Sequence, residues 1–329
     1  MPLRTADWTY SSGVTAVAET RLLTDDEFLD LLRLPTLQAL LGRVKQVETY
    51  AAMPAIDSPD AATRTVEQEF IRAARRFAHD APETSVCELL LVKYLFAELR
   101  TFLRGKLLGD GVEEAEPGFL SSEELEALWE DRIDAREDLV EVVKPLRTTL
   151  EHVEDAAGLV DLLVDREELT YFVERARAID SEFIRDWAET YVRLTAALTV
   201  IRARLAGESI EKLIEVLLKE TLEDEWLLDL VDEERERLDN VLAQGFTPLE
   251  GEIVSISRSQ VGSIARMMDD RLTLDAARAR MIPFGPERLF GYLWGLHVEN
   301  LNLRLITETF VVDADRDETR ARLRRSYVG

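Results

Sequence analysis

The residues best suited to chemistry are aspartates, which form two closely spaced clusters: Asp25-Asp26 with Asp30, and Asp269-Asp270 with Asp275. Carboxylate oxygens grouped in this way bind hard cations, and aspartate-rich helices hold magnesium diphosphate in all-helical prenyl-transfer enzymes. Neither cluster has the full Asp-Asp-x-x-Asp spacing, and such pairs arise easily among 65 acidic residues. The first pair also falls in the first turn of a predicted helix, where acidic groups favour the helix dipole. A magnesium-dependent prenyl-transfer enzyme is therefore kept as an alternative only.

The three histidines give no sign of a metal site. His79, His152 and His297 form no His-x-x-x-His or Glu-x-x-His pair, so a zinc or di-iron bundle site lacks ligands at the usual spacing. His297 stands in an aromatic stretch, which favours a core or interface histidine. No phosphate-binding loop, dinucleotide fingerprint or Gly-x-Ser-x-Gly elbow is present in the sequence. We predict no catalytic residue, no cofactor and no metal.

The charge balance narrows the range of partners. The formal net charge is −25, and only six of the 40 basic residues are lysine. A surface this acidic repels the phosphates of nucleic acids and the headgroups of anionic lipids, so we predict no nucleic-acid partner and no direct membrane insertion. The acidity is explained equally well by a proteome-wide bias or by a specific basic partner.

The remaining compositional signals indicate a cytoplasmic protein with enough apolar residues to form a hydrophobic core. The chain of 329 residues is 46% apolar and carries a single cysteine, Cys87, so no internal disulfide can form and a reducing compartment fits. The first ten residues lack the basic and apolar regions of a signal peptide. The best candidate for a membrane span, 289–306, carries His297, Glu299 and Arg304 and is predicted not to cross a bilayer.

Helical periodicity runs through the whole sequence, whereas sustained period-two alternation is absent. The apolar stripes that predict helices lie at 28–32, 66–77, 87–108, 125–129, 139–143, 159–164, 172–179, 183–205, 210–218, 238–242, 253–268 and 289–310. Two capping boxes mark helix starts, one from Thr24 to Glu27 and one from Ser121 to Glu124. The fold class is therefore predicted to be all-α.

The two capping boxes lie 97 residues apart, which suggests an internal repeat. The stretches 94–109 and 192–207 support it, because both end in basic, small, basic, two apolar residues and glycine at an offset of 98. A fainter third copy occupies 298–308, and 238–248 is similar to 37–50. We predict three helical repeat units at 1–116, 117–213 and 214–329, with the third least like the others.

These motifs resemble, in order, those of the C-type subunit of archaeal-type rotary ATPases, known as the d-type subunit in the eukaryotic vacuolar enzyme. The opening stretch 10–31 is similar in its tyrosine, its short apolar helix and its acidic helix start after Arg21-Leu22-Leu23-Thr24. The stretch 94–109 resembles the recurring tyrosine–leucine–arginine-x-lysine-x-x-glycine helix of the family, 117–120 the loop after it, and 283–306 its closing helix. The family asparagine is kept at Asn302 but replaced by Glu98 and Ala196.

The resemblance implies a non-catalytic subunit whose three helical-bundle lobes form a funnel-shaped body on the cytoplasmic face of the membrane. Its expected partners are the central-shaft subunits and the membrane proteolipid rotor ring, between which it would pass torque. A generic helical-repeat scaffold that binds some other partner remains the second alternative.

Overall fold

A computed structural model of the chain describes residues 5–56, 58–108, 120–132, 137–152, 156–206 and 261–329. These residues form twelve α-helices and three 3-10 helices and contain no β-strand, which confirms the all-α prediction for them. The 3-10 helices are Thr5–Trp8, Glu48–Tyr50 and Arg278–Met281. The α-helices are α1 (Thr9–Glu19), α2 (Asp25–Leu32), α3 (Leu37–Val44), α4 (Pro59–Asp80), α5 (Ser85–Leu108), α6 (Ser122–Glu130), α7 (Glu137–His152), α8 (Ala156–Ala178), α9 (Glu182–Ala206), α10 (Val261–Ala277), α11 (Pro286–Val311) and α12 (Arg316–Arg322).

Both predicted capping boxes form as the sequence indicates. The Glu27 N–H donates to the Thr24 hydroxyl at 3.3 Å, and the Thr24 N–H donates to Glu27 Oε2 at 3.0 Å. Ser121 and Glu124 make the same reciprocal pair at 3.2 and 2.7 Å. Each box satisfies two otherwise orphaned backbone donors, so α2 and α6 begin where the sequence places them.

The helix boundaries differ from the prediction in two ways. The stripes at 159–164 and 172–179 belong to one continuous helix, α8, because no helix-breaking residue separates them. The described part of the helix predicted at 253–268 begins at Val261 and runs on to Ala277. The predicted helices at 210–218 and 238–242, residues 253–260 and the loop residues 117–119 lie outside the described residues.

The chain divides into two compact units. The first contains Met1–Leu90, Ile179–Trp187 and Gly262–Gly329, and the second contains Leu91–Ala178 and Ala188–Val261. Both units are therefore assembled from segments far apart in sequence. The three repeat units predicted at 1–116, 117–213 and 214–329 stay a prediction.

Helix α11 is the centre of the first unit. Every residue from Leu289 to Asn300 is buried, as expected for a helix surrounded by protein on all sides. Helices α1 and α4 pack against it. Helix α4 runs antiparallel to α11, since Glu67 Oε1 contacts Arg304 Nη1 at 2.9 Å while the rings of Phe77 and Tyr292 lie 4.7 Å apart at the other end.

The second unit contains the greater part of the two long helices α5 and α9 and all of α6, α7 and α8. Helix α7 packs against both α6 and α8. Aromatic pairs join its helices: the rings of Phe172 and Tyr191 lie 4.4 Å apart, and those of Phe96 and Tyr171 lie 6.2 Å apart. These contacts give the unit an apolar interior of its own.

Candidate functional site

The C-terminal segment 324–329 binds three of the six aspartates that the sequence singles out. Three aspartates accept hydrogen bonds from consecutive residues of this segment: Asp269 from Arg324 Nε at 2.7 Å, Asp270 from the Arg325 N–H at 2.6 Å, and Asp25 from the Ser326 N–H at 2.7 Å. The structure thus brings the two clusters to one segment. Because protein donors occupy these oxygens, the aspartates anchor the C-terminal segment.

Two further aspartates of the clusters pair locally. Asp30 contacts Arg33 at 3.0 Å on the surface, and Asp275 contacts Arg271 at 2.7 Å. Within the described ranges, no group of three or more His, Cys, Asp or Glu side chains is placed to hold a metal ion. That the protein uses no catalytic residue, cofactor or metal stays a prediction from the sequence.

The histidines and the cysteine have separate environments. His297 lies in the core between Phe70 and Trp294, with ring-centroid distances of 5.8 and 5.1 Å. His79 and His152 are exposed near the ends of α4 and α7. Cys87 is fully buried, and burial raises the pKa of its thiol to about 12, so it stays a protonated core residue.

Side chains of the long helices bind the backbone of distant segments. Glu98 Oε2 in α5 accepts from the Leu120 N–H at 2.8 Å, and Asn302 in α11 both accepts from and donates to the Arg324 backbone at 2.9 Å. Both pairs are separated by 22 residues. Glu98 and Asn302 are also positions that the predicted repeat aligns, and each binds the backbone of a segment 22 residues further along the chain.

Glu299 is a third anchor of this kind and is also buried. Its Oε2 accepts from the Leu23 N–H at 2.6 Å, directly before the capping box of α2. Burial raises the pKa of Glu299 from its ordinary 4.5 to about 7, although the Leu23 N–H and the Tyr50 hydroxyl oppose the shift by hydrogen bonding to the carboxylate. The native state therefore holds this proton more tightly than the unfolded chain does.

We expect this proton to make stability depend on pH. A carboxyl whose pKa is raised on folding contributes its full stabilisation below its unfolded pKa and loses it as pH rises through the folded value, here from 4.5 to about 7. Glu299→Gln keeps the shape and an acceptor for the Leu23 N–H but cannot ionise. Between pH 5 and pH 8 the wild type should lose roughly 2 kcal/mol more unfolding free energy than the variant, measured by urea unfolding. Parallel pH curves would contradict this account of Glu299.

A charge network holds α5 against α8 in the second unit. Arg100 pairs with Asp165 and lies 3.8 Å from Asp161 and 4.0 Å from Glu168, all on one face of α8. Burial raises the pKa of Glu168 to about 7, and the nearby Lys93 is the largest opposing charge. Arg104, from the basic ending of the predicted repeat, pairs with Asp161. These basic residues thus serve internal contacts.

The two arginines should differ in their contributions to stability. Arg100 faces three carboxylates and its side chain is 31% exposed, whereas Arg104 pairs with one and is 53% exposed. Arg100→Met leaves the carboxylates to repel one another and should cost about 2 kcal/mol. Arg104→Met should cost less than about 1 kcal/mol. Equal losses of unfolding free energy in the two variants, measured by chemical denaturation, would show that the network is no more than a set of surface ion pairs.

The first unit also carries an open groove of about 380 Å³ between α1 and α4. Tyr292 of α11, Phe77 and Val14 supply apolar lining, and the Arg21–Glu48 ion pair is part of its wall. Helix α1 is turned with its polar residues inward: Ser11, Ser12, Thr15 and Glu19 are buried, while Tyr10 and Val17 are exposed.

A second surface feature lies where α10 passes into α11. We call Leu274, Arg278, Met281 and Phe284 the arginine–apolar strip. Met281 is 86% exposed, and Leu274 and Phe284 are 44% and 45% exposed.

Neither the strip nor the hydrogen bonds that hold the C-terminal segment 324–329 was predicted from the sequence. The hydrogen bonds from Arg324 to Asp269 and from Tyr327 to Glu19 join residues that are 55 and 308 positions apart. The sequence signal that could have indicated these contacts is the Arg324-Arg325 pair close to Tyr327.

In the described residues the fold and its charges define an all-helical protein whose singled-out polar side chains serve structural contacts. The sequence model of the ATP synthase (C/AC39) subunit family matches residues 12–322. The chain belongs to this family, a non-catalytic subunit of the rotary ATPase, as the resemblance predicted. The predicted partnership within a membrane-bound rotary ATPase follows from the same membership. A comparison with curated proteins finds no match.

Among the described helices, none is both long enough and apolar enough to cross a bilayer.

Proposed function

We propose that this chain is the central-rotor coupling subunit of its ATPase, joining the central shaft to the membrane proteolipid ring. Family membership over residues 12–322 is the observation that carries the proposal. The chain would sit on the cytoplasmic side, attach through the protein loops of the ring and pass torque between ring and shaft during proton or sodium transport. We propose that the chain neither inserts into the membrane nor binds nucleic acid.

The internal construction of the first unit supports a mechanical role. A part that transmits torque must be stiff, and close packing supplies stiffness. Helix α11 binds the segment before α2 through Glu299 and Leu23, helix α4 through Arg304 and Glu67, and the C-terminal segment through Asn302 and Arg324. One buried helix therefore ties three distant segments together.

The three-lobed funnel belongs to the same proposal. Lobes at 1–116, 117–213 and 214–329 would surround an axial hollow that receives the shaft tip. The anchors at Glu98 and Asn302 lie at matching positions of the first and third predicted repeats and each bind backbone 22 residues further on, which supports a shared plan for the long helices of these two lobes. With a net charge of −25, the hollow would attract a basic shaft tip, so raised salt should weaken shaft binding. Salt-independent affinity would remove this electrostatic part.

Binding of the full chain to purified shaft subunits and to the detergent-solubilised ring tests the proposal. The chain should bind each one alone and join both in a single complex. If it binds neither, but captures proteins unrelated to the ATPase, the scaffold alternative is favoured. The prenyl-transfer alternative loses its basis, because the family is non-catalytic and Asp269 pairs with Arg324. Loss of a measured prenyl-transfer activity in Asp269→Ala would instead favour the prenyl-transfer alternative.

A further inference from the structure

The four residues of the arginine–apolar strip lie three or four positions apart in the sequence. Leu274 and Arg278 stand one turn apart, at the end of α10 and the start of the 3-10 helix that follows it. In a 3-10 helix, side chains three residues apart eclipse one another, so Met281 lies in line with Arg278. Phe284 follows in the loop before α11. Three large apolar side chains and an arginine are thus exposed within eleven consecutive residues.

The backbone under the strip is held firmly. Trp187 Nε1 donates to the Leu272 carbonyl at 2.9 Å, and the Ile282 N–H donates to the Ala279 carbonyl at 3.0 Å. Ala276 and Ala279 lie so close to Gly291 of α11 that a Cβ there would come within 2.8–2.9 Å of their atoms. A firmly held surface loses little conformational entropy when a partner binds.

The strip has an excess of positive charge on a strongly acidic chain. Asp275 pairs with Arg271 at 2.7 Å and only loosely with Arg278, at 3.9 Å. The Arg280 guanidinium lies 5.9 Å from the centre of the Tyr327 ring. This contact is with a neutral ring, so it does not cancel the positive charge of Arg280. On a protein of net charge −25, such a patch is where an acidic partner can approach without repulsion.

We infer that the arginine–apolar strip is a docking surface for an acidic protein surface that carries an apolar patch. Arginine, methionine and aromatic residues are the types enriched at the centres of protein interfaces. An anionic lipid surface is the competing occupant, because it too would be attracted by the arginine, and the vesicles named below test it. The inference rests on the proposed function and assigns the strip to the ring, since the shaft tip proposed above is basic and would be repelled by the arginines.

Affinity measurements on the full chain test the assignment with matched variants. The strip variants are Met281→Ser and Arg278→Glu, singly and together. Val312→Ser and Arg33→Glu are controls at comparable exposure, 70% for Val312 against 86% for Met281 and 71% for the Arg33 side chain against 77% for Arg278. All four positions are exposed enough that folding should persist, which circular dichroism checks. The probes are the detergent-solubilised ring, purified shaft subunits and phosphatidylglycerol vesicles.

The double strip variant should bind the ring at least about tenfold more weakly, while the controls stay within about twofold of the wild type. Raised salt should weaken ring binding by the wild type more than by Arg278→Glu. Unchanged ring affinity in the strip variants would overturn the inference and leave the proposed function standing. Weakening confined to the shaft or to vesicles would also overturn it. A wild type that binds neither ring nor shaft would overturn both proposals.

Discussion

Replacing Trp294 by alanine should lower the free energy of unfolding by about 3–5 kcal/mol. The side chain is fully buried in α11, with its ring 4.6 Å from that of Trp187 and 5.1 Å from that of His297. Its Nε1 also donates to the Thr273 hydroxyl at 3.0 Å. The substitution leaves a large cavity where α9, α10 and α11 meet, and rigid neighbours cannot fill it. Urea or thermal unfolding measures the loss.

Two controls separate the cavity from the hydrogen bond. Trp294→Phe keeps most of the ring packing but removes the donor to Thr273, so it should fall between the wild type and the alanine variant. Tyr10→Ala removes an aromatic side chain that is 69% exposed and should change stability by less than about 0.5 kcal/mol. A loss below about 1 kcal/mol in Trp294→Ala would contradict the central position of α11.

Gly295→Ala should displace the C-terminal segment, at a cost of up to about 3 kcal/mol. A Cβ at this position would lie 2.6–2.9 Å from atoms of Tyr327. That side chain is buried and its hydroxyl donates to Glu19 at 3.3 Å. The backbone on both sides of the clash is fixed in a buried helix and by the Ser326 hydrogen bonds, so a small adjustment cannot relieve it. Trypsin cleavage after Arg324 and Arg325 reports release of the segment.

The chain contains a matched control for this substitution. An added Cβ at Gly42 meets nothing within 4 Å, and the residue lies inside helix α3. Gly42→Ala should therefore leave the tryptic pattern unchanged and raise stability by about 0.5–1 kcal/mol through helix propensity. Equal protection of the C-terminal segment in Gly295→Ala and Gly42→Ala would show that Tyr327 does not depend on the glycine.

Local signals account for what the sequence predicts correctly. The Thr24 and Ser121 capping boxes predict the starts of α2 and α6, because each depends on groups three residues apart. The apolar stripes predict α4, α5 and α9 because they also depend on local spacing, of side chains three or four residues apart. The aspartate clusters were ambiguous, since a carboxylate that binds a cation and one that binds an arginine look alike until the partner is known.

Features that depend on distant partners could not be read from one sequence. Asp25 and Ser326 are separated by 301 residues, and no local sequence pattern predicts their hydrogen bond. Glu299 looked like an ordinary charge that argues against a membrane span, and only packing makes it a buried anchor for the Leu23 N–H. The exposure of Met281 likewise depends on how the 3-10 helix Arg278–Met281 packs against α11, because methionine is normally a core residue.

The coupling of ATP hydrolysis to ion transport is the measurement that decides whether this chain links shaft and ring. Rotary ATPase complexes lacking the chain, embedded in vesicles, should hydrolyse ATP without pumping ions, and adding the purified chain should restore pumping for each ATP hydrolysed. The Arg278→Glu/Met281→Ser variant should restore it less well than the Val312→Ser control. Pumping at the normal ratio in complexes without the chain would contradict a coupling role.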